Sequence, residues 1–128
     1  MMEIAHRHMA RAAFRAWPFQ WGHDRIMRRL RAPDLPETQR VGRLRRYGVR
    51  IRYNPSSYIG KYIYYRGLFE EPILRTIEQE LDRDATFIDV GANIGQHTLV
   101  ASTLAANVVA FEPQATVRQA LQENLALS

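Results

Sequence analysis

Cysteine is absent from the 128 residues, which excludes disulfides and thiolate-held metals. No apolar run approaches the ~18 residues of a membrane-spanning helix. The amino terminus lacks the apolar stretch of a secretory signal, so a cytoplasmic protein with no transmembrane segment is the expectation. Acidic residues are scarce in one part only. Residues 1–52 hold 13 of the 18 Lys and Arg against Glu3, Asp24, Asp34 and Glu37, whereas residues 53–128 hold five against nine acids. The net +5 therefore describes a basic arm joined to an acidic body. Apolar residues at 46% and aromatics at 10% argue against a disordered chain, and the length fits one domain.

The arm, residues 1–46, contains HMARAAFRAWPFQWGHDRIMRRLRAPDLPE. It reads as two short helical pieces separated by Pro18 and Gly22 and ended by Pro33 and Pro36. Phe14 and Trp17, then Ile26, Met27 and Leu30, give each piece an apolar side. An arginine-rich helix with such a stripe can bind nucleic acid or an anionic surface; packing of the stripe on the body is the simpler expectation. His6, His8 and His23 have no acid or cysteine in ligand spacing, so no metal is expected.

From Tyr47 the period changes to two: Tyr47, Val49, Ile51 and Tyr53 alternate with Gly48, Arg50 and Arg52, as in a half-buried strand. NPSS supplies a turn, and Tyr58 to Tyr65 reads as a second strand hairpin-paired with the first, its tyrosines covering a sheet. FEEPILRTIEQELDRD reads as a helix with Glu70 and Glu71 at its positive end, Pro72 in the first turn, and Ile73, Leu74, Ile77 and Leu81 on one face. Strand FIDV, a helix from Gln96 to Ala105, strand NVVAF and helix ATVRQALQENLALS follow. This alternation is the parallel α/β signature.

The turn GANIG after FIDV carries the chemistry. Beyond the carboxyl ends of parallel strands, glycine leaves space for a ligand, and asparagine at position 93 tolerates a left-handed backbone. The dinucleotide fingerprint G-x-G-x-x-G aligned on Gly91 meets Asn93 and Gln96, so two of three glycines fail. The pattern acid-x-G-x-G-x-G fits Asp89, Gly91, Asn93 and Gly95 with one substitution. Strand NVVAF then ends in Glu112, 21 residues past Gly91, where a carboxylate can accept ribose hydroxyls.

FIDVGANIGQHTLVAS followed by VVAFEPQATVRQALQENLAL resembles the cofactor-binding half of the FkbM family of methyltransferases, and GLFEEPIL is similar to the short lead before that family's motif. The likeness covers about residues 47 to 128. It implies the amino-terminal part of a Rossmann-like (class I methyltransferase) doubly wound sheet, preceded by a β-hairpin and a basic helical arm. It further implies S-adenosyl-L-methionine held by Asp89, Gly91, Asn93, Gly95 and Glu112, with Glu70 near the methionine end. His97 and Thr98 read as helix-opening residues and Asn124 as a helix-end residue.

The resemblance implies O-methylation of a hydroxyl on a sugar or natural product. Residues 47–128 are expected to form an incomplete cofactor-binding domain, with the acceptor site and catalytic base outside the chain. The unpaired sheet edges would favour self-association. Two other readings stay open: a nicotinamide- or flavin-binding domain, disfavoured by Asn93 and Gln96, and a nonenzymatic module whose arginine-rich arm binds nucleic acid or an acidic surface. Nucleic acid is not the expected partner of the first reading.

Overall fold

A computed structural model describes residues 8–13, 16, 35–105 and 107–128. Residues 8–13 are helical. The stripes at Phe14 and Trp17 and at Ile26, Met27 and Leu30 lie outside the described residues, as do His6 and His23.

Two small sheets and four helices follow in the order β1 (Arg40–Arg43), β2 (Arg50–Tyr53), α1 (Tyr58–Arg66), α2 (Glu71–Glu80), β3 (Thr86–Val90), α3 (Gln96–Ala101), β4 (Asn107–Phe111) and α4 (Ala115–Leu127). The architecture is mixed α/β. β1 and β2 pair antiparallel with Arg40 opposite Tyr53 and Arg43 opposite Arg50. β3 and β4 pair parallel, Thr86 opposite Asn107 and Val90 opposite Phe111.

A hairpin exists, but not between the segments its alternation suggested. The strand at 50–53 pairs with residues upstream, through a turn in which Arg46 and Gly48 have φ of 79° and 72°. The hairpin therefore runs across residue 46. Tyr58 to Tyr65, expected as a strand, is helix α1. The physical reason lies at its ends. The Ser57 hydroxyl accepts from the Gly60 amide at 3.0 Å, which satisfies one of the donors a first turn leaves open. Gly67 closes the helix in a left-handed conformation, φ 88°, its N–H bonded to the Ile63 carbonyl. Gly60 is also sterically required, because a β-carbon there would lie 1.8 Å from the Asn54 carbonyl oxygen. These local signals outweigh the strand preference of the tyrosines. Instead of covering a sheet, Tyr58, Tyr62 and Phe69 meet edge to face at 5.3–5.6 Å between centroids, a favourable aromatic geometry.

α2 forms because Pro72 suits the first turn and Leu74 and Ile77 bury one face; Ile73, expected on that face, is exposed. The core gathers Leu44, Ile51, Tyr65, Leu74, Leu99 and Val100, all fully buried. Among the described residues the arm supplies Leu35 and Leu44 to this core, and the guanidinium of Arg11 lies 4.7 Å from the centre of the Tyr64 ring, a cation–π contact.

Among the described residues, the parallel pair is covered on one face only. Ile88, Val90, Val109 and Phe111 are 60%, 81%, 43% and 56% exposed, while Phe87 and Val108, on the other side of the pleat, pack against the core. Strands apolar on both sides are those of a sheet with two covered faces.

The hairpin is tied to the parallel unit by one buried side chain. The Asn124 carboxamide, fully buried on α4, accepts from the Arg52 amide at 2.6 Å and donates to the carbonyls of Arg52 at 3.0 Å and Ile94 at 2.7 Å. It lies in the last turn of α4, as expected of a helix-end residue, and is also an internal clamp. Asn124→Ala would leave three backbone groups unsatisfied, a loss of about 3 kcal/mol. The midpoint of urea unfolding is the measurement, and Asn124→Ala should lower it well beyond the effect of the exposed control Gln122→Ala.

Candidate functional site

β3 delivers its carboxyl end into a turn built from left-handed residues: Gly91, Asn93 and Gly95 have φ of 83°, 52° and 93°. Asn93 stabilises its own unusual backbone locally, since its side-chain oxygen accepts from the Ile94 amide at 2.8 Å. The turn is docked on the neighbouring strand. The amides of Gly91 and Ala92 both donate to the Phe111 carbonyl, at 2.8 and 3.0 Å.

The two glycines do different work. A β-carbon on Gly91 would meet nothing within 4 Å, whereas one on Gly95 would come 2.5 Å from Leu121 Cδ1. Gly91 leaves open space beyond the sheet, as expected. The space at Gly95 is instead filled by α4, a correction to the view that both glycines leave room for a ligand.

Glu112 stands at the carboxyl end of β4, half-buried. One carboxylate oxygen accepts from the Asn93 amide at 3.0 Å and the other from the Gln114 amide at 2.9 Å. The side chain therefore joins the turn to the start of α4. A carboxylate offers about four acceptor positions, so two backbone bonds leave capacity for two hydroxyl donors. Arg118 helps fix this corner by donating to the carbonyls of Glu112 at 2.9 Å and Pro113 at 3.2 Å.

Asp89 belongs to the same group but faces inward. It is buried and accepts a 2.5 Å hydrogen bond from the Thr98 hydroxyl, tying β3 to α3. Thr98 thus does more than open a helix: it satisfies a buried carboxylate. Asp89, Gly91, Asn93, Gly95 and Glu112 are brought together at one end of the parallel pair.

Glu70 stands apart from these five. Its carboxylate lies 3.6 Å from His97 Nε2, and that buried nitrogen has no hydrogen-bond partner. Glu70 is held at φ 49°, a left-handed conformation that a non-glycine residue keeps only when its surroundings enforce it. The enforcement is visible one residue earlier. The Gln96 carboxamide accepts from the Phe69 amide and donates to the Phe69 carbonyl, both at 2.7 Å. Gln96, first residue of α3, therefore fastens the lead segment to the helix that follows the turn. The sequence marks it as the start of a helix and as the place where the third glycine of a dinucleotide turn fails, not as a fastening. Its signal in the sequence was a large amide where a dinucleotide turn has none. For Asn124 the signal was an amide between Leu121 and Leu125 in the helix ATVRQALQENLALS.

Among the described residues no group of three or more His, Asp or Glu is placed to hold a metal ion. No described helix is long and apolar enough to cross a membrane.

No family model matches the chain. Over 94 residues it is 36% identical to AMB antimetabolite synthetase AmbE of Pseudomonas aeruginosa, covering 72% of this chain and 4% of that protein. Over 55 residues it is 42% identical to hexuronic acid methyltransferase AglP of Haloferax volcanii, covering 43% of this chain and 23% of that protein. The chain is thus related to a methyltransferase over part of its length, and it spans less than a quarter of either relative.

The geometry separates two pairs of substitutions. Thr98→Val removes the partner of a buried carboxylate and should lower stability by about 2 kcal/mol, with Thr98→Ser near wild type. Gly91→Ala should cost about 1–2 kcal/mol through backbone strain alone, and Gly95→Ala more, because Leu121 must also move. Urea midpoints of the four variants give the comparison; equal losses at the two glycines would contradict the packing of α4 on Gly95.

Proposed function

We propose that the chain is the S-adenosylmethionine-binding portion of an O-methyltransferase of FkbM type, built on the first strands of a Rossmann-like doubly wound sheet. The observation that carries it is the pairing of open space over Gly91 with the Glu112 carboxylate at the end of the adjacent strand. A ribose lying there would give its two hydroxyls to the acceptor positions that the backbone bonds leave on Glu112. The left-handed turn from Gly91 to Gly95 keeps side chains out of the approach. Asp89 contributes by position: bonded to Thr98, it holds the end of β3 against α3, so its cofactor role is support of the turn. Glu70, in the lead segment and 3.6 Å from His97 of α3, is taken to meet the amino-acid end of the cofactor on the strength of the family resemblance.

When bound, the cofactor would supply a methyl group on a sulfonium: as the acceptor oxygen bonds to the methyl carbon in line, the C–S bond breaks, the sulfur leaves as a neutral thioether, and the hydroxyl proton passes to a base or to water. This chain's part is positioning, which supplies much of the rate of a displacement that needs close alignment. The name of AglP specifies a hexuronic acid, and a sugar hydroxyl is accordingly the acceptor class proposed. Nicotinamide or flavin binding is not favoured, because Gln96 occupies the place of the third glycine with a side chain bonded to Phe69.

Calorimetric titration with S-adenosylmethionine tests the reading. Binding should weaken by about 1–3 kcal/mol in Glu112→Ala, the scale of lost charge-assisted bonds. Gly91→Val should abolish it while NADH gives no heat with either protein. Undiminished affinity in a folded Glu112→Ala would remove Glu112 from the site.

A further inference from the structure

Beside the turn runs an open groove of about 590 Å³, bordered by the end of the hairpin, the start of α1 and one side of α4. That volume falls in the range of small-molecule sites. Asn93 and Ile94 of the turn line it, which sets the groove against the proposed cofactor site. Ile59, Ile94 and Val117 provide apolar lining. Tyr58 also borders it and is 63% exposed, a large exposure for an aromatic residue whose neighbours Tyr62 and Phe69 hold its ring edge-on.

The polar lining combines planar amide, guanidinium and carboxylate groups with the hydroxyls of Ser57 and Thr116 and is balanced in charge. Gln39 offers an amide, and Arg52 and Glu123 face each other at 3.4 Å with their side chains 44% and 43% exposed. A charge-assisted bond closes to about 2.7–2.9 Å, so this pair is slack and keeps donors and acceptors for a third party. Its near-neutral sum gives no attraction for a polyphosphate, which would also meet the Glu123 carboxylate. Apolar lining, an exposed ring and planar hydrogen-bonding groups of both kinds match a molecule with an apolar C–H face and a rim of hydroxyls.

Resting on the methyltransferase reading and its sugar acceptor, we propose that this groove, within the chain and not outside it as expected from the sequence, is where the saccharide binds. Tyr58 lies under the C–H face of a sugar ring, while Arg52, Glu123 and Gln39 share its hydroxyls. The consequence is that the acceptor is held in part by the hairpin and α1, upstream of the cofactor turn.

Saturation-transfer NMR on the full 128-residue chain tests this, with cellobiose and glucuronate as probes and S-adenosylmethionine titrated into the same samples. Saturation of ring C–H protons is expected for at least one sugar, with affinity at least fivefold weaker in Tyr58→Ala and in Arg52→Gln. Glu123→Gln should shift preference towards glucuronate, since it removes the competing carboxylate. No transfer to either sugar, or unchanged affinity in both folded variants, overturns the saccharide site. Cofactor binding without sugar binding overturns that site alone. Sugar binding without cofactor binding leaves the site standing and removes its role in methyl transfer.

Discussion

The Asn124 carboxamide is the point on which the arrangement depends. It satisfies both backbone groups of Arg52 and the carbonyl of Ile94, so hairpin, turn and α4 share one buried hydrogen-bonded node. In a low-dielectric interior such a node specifies geometry because any displacement leaves polar groups unpaired. Ile94 lies inside the turn whose backbone defines the candidate site. The turn's shape is therefore maintained from α4 and the hairpin as well as from the strands on which it sits.

A second fastening acts from the other side. Gln96 grips both polar groups of Phe69, and Thr98 grips Asp89. α3 thus binds the lead segment with its first residue and the end of β3 with its third. Glu112 closes the ring by taking the amides of Asn93 and Gln114. A turn with three left-handed residues would be floppy in isolation; here amide and carboxylate side chains from both flanks hold it open.

Much of this was legible because it is local. The strand ending before GANIG, the strand ending at Glu112 and the helices after each follow from runs of apolar residues punctuated by glycine and proline. The left-handed Asn93 was readable from its residue type. What was not legible depends on distant partners. Tyr58 to Tyr65 looks like a strand when judged by side-chain type, and only Ser57, Gly60 and Gly67 acting together decide otherwise. Nothing near Arg50 says that its strand partner lies upstream. The Gln96–Phe69 and Asn124–Arg52 bonds span 27 and 72 residues, and a buried amide names no partner until the fold brings one to it. The packing task of Gly95 was hidden for the same reason, because Leu121 reaches it only after α4 has docked.

The bare face of the parallel pair has a thermodynamic consequence. Ile88, Val90, Val109 and Phe111 point away from the core, with no charged side chain among these four. Any surface that comes to lie on them gains chiefly from releasing water, a driving force that is entropic near room temperature and fades on cooling. Contact made there would carry a negative heat-capacity change and loosen in the cold, whereas the hydrogen-bonded nodes around the turn do not rely on that water release.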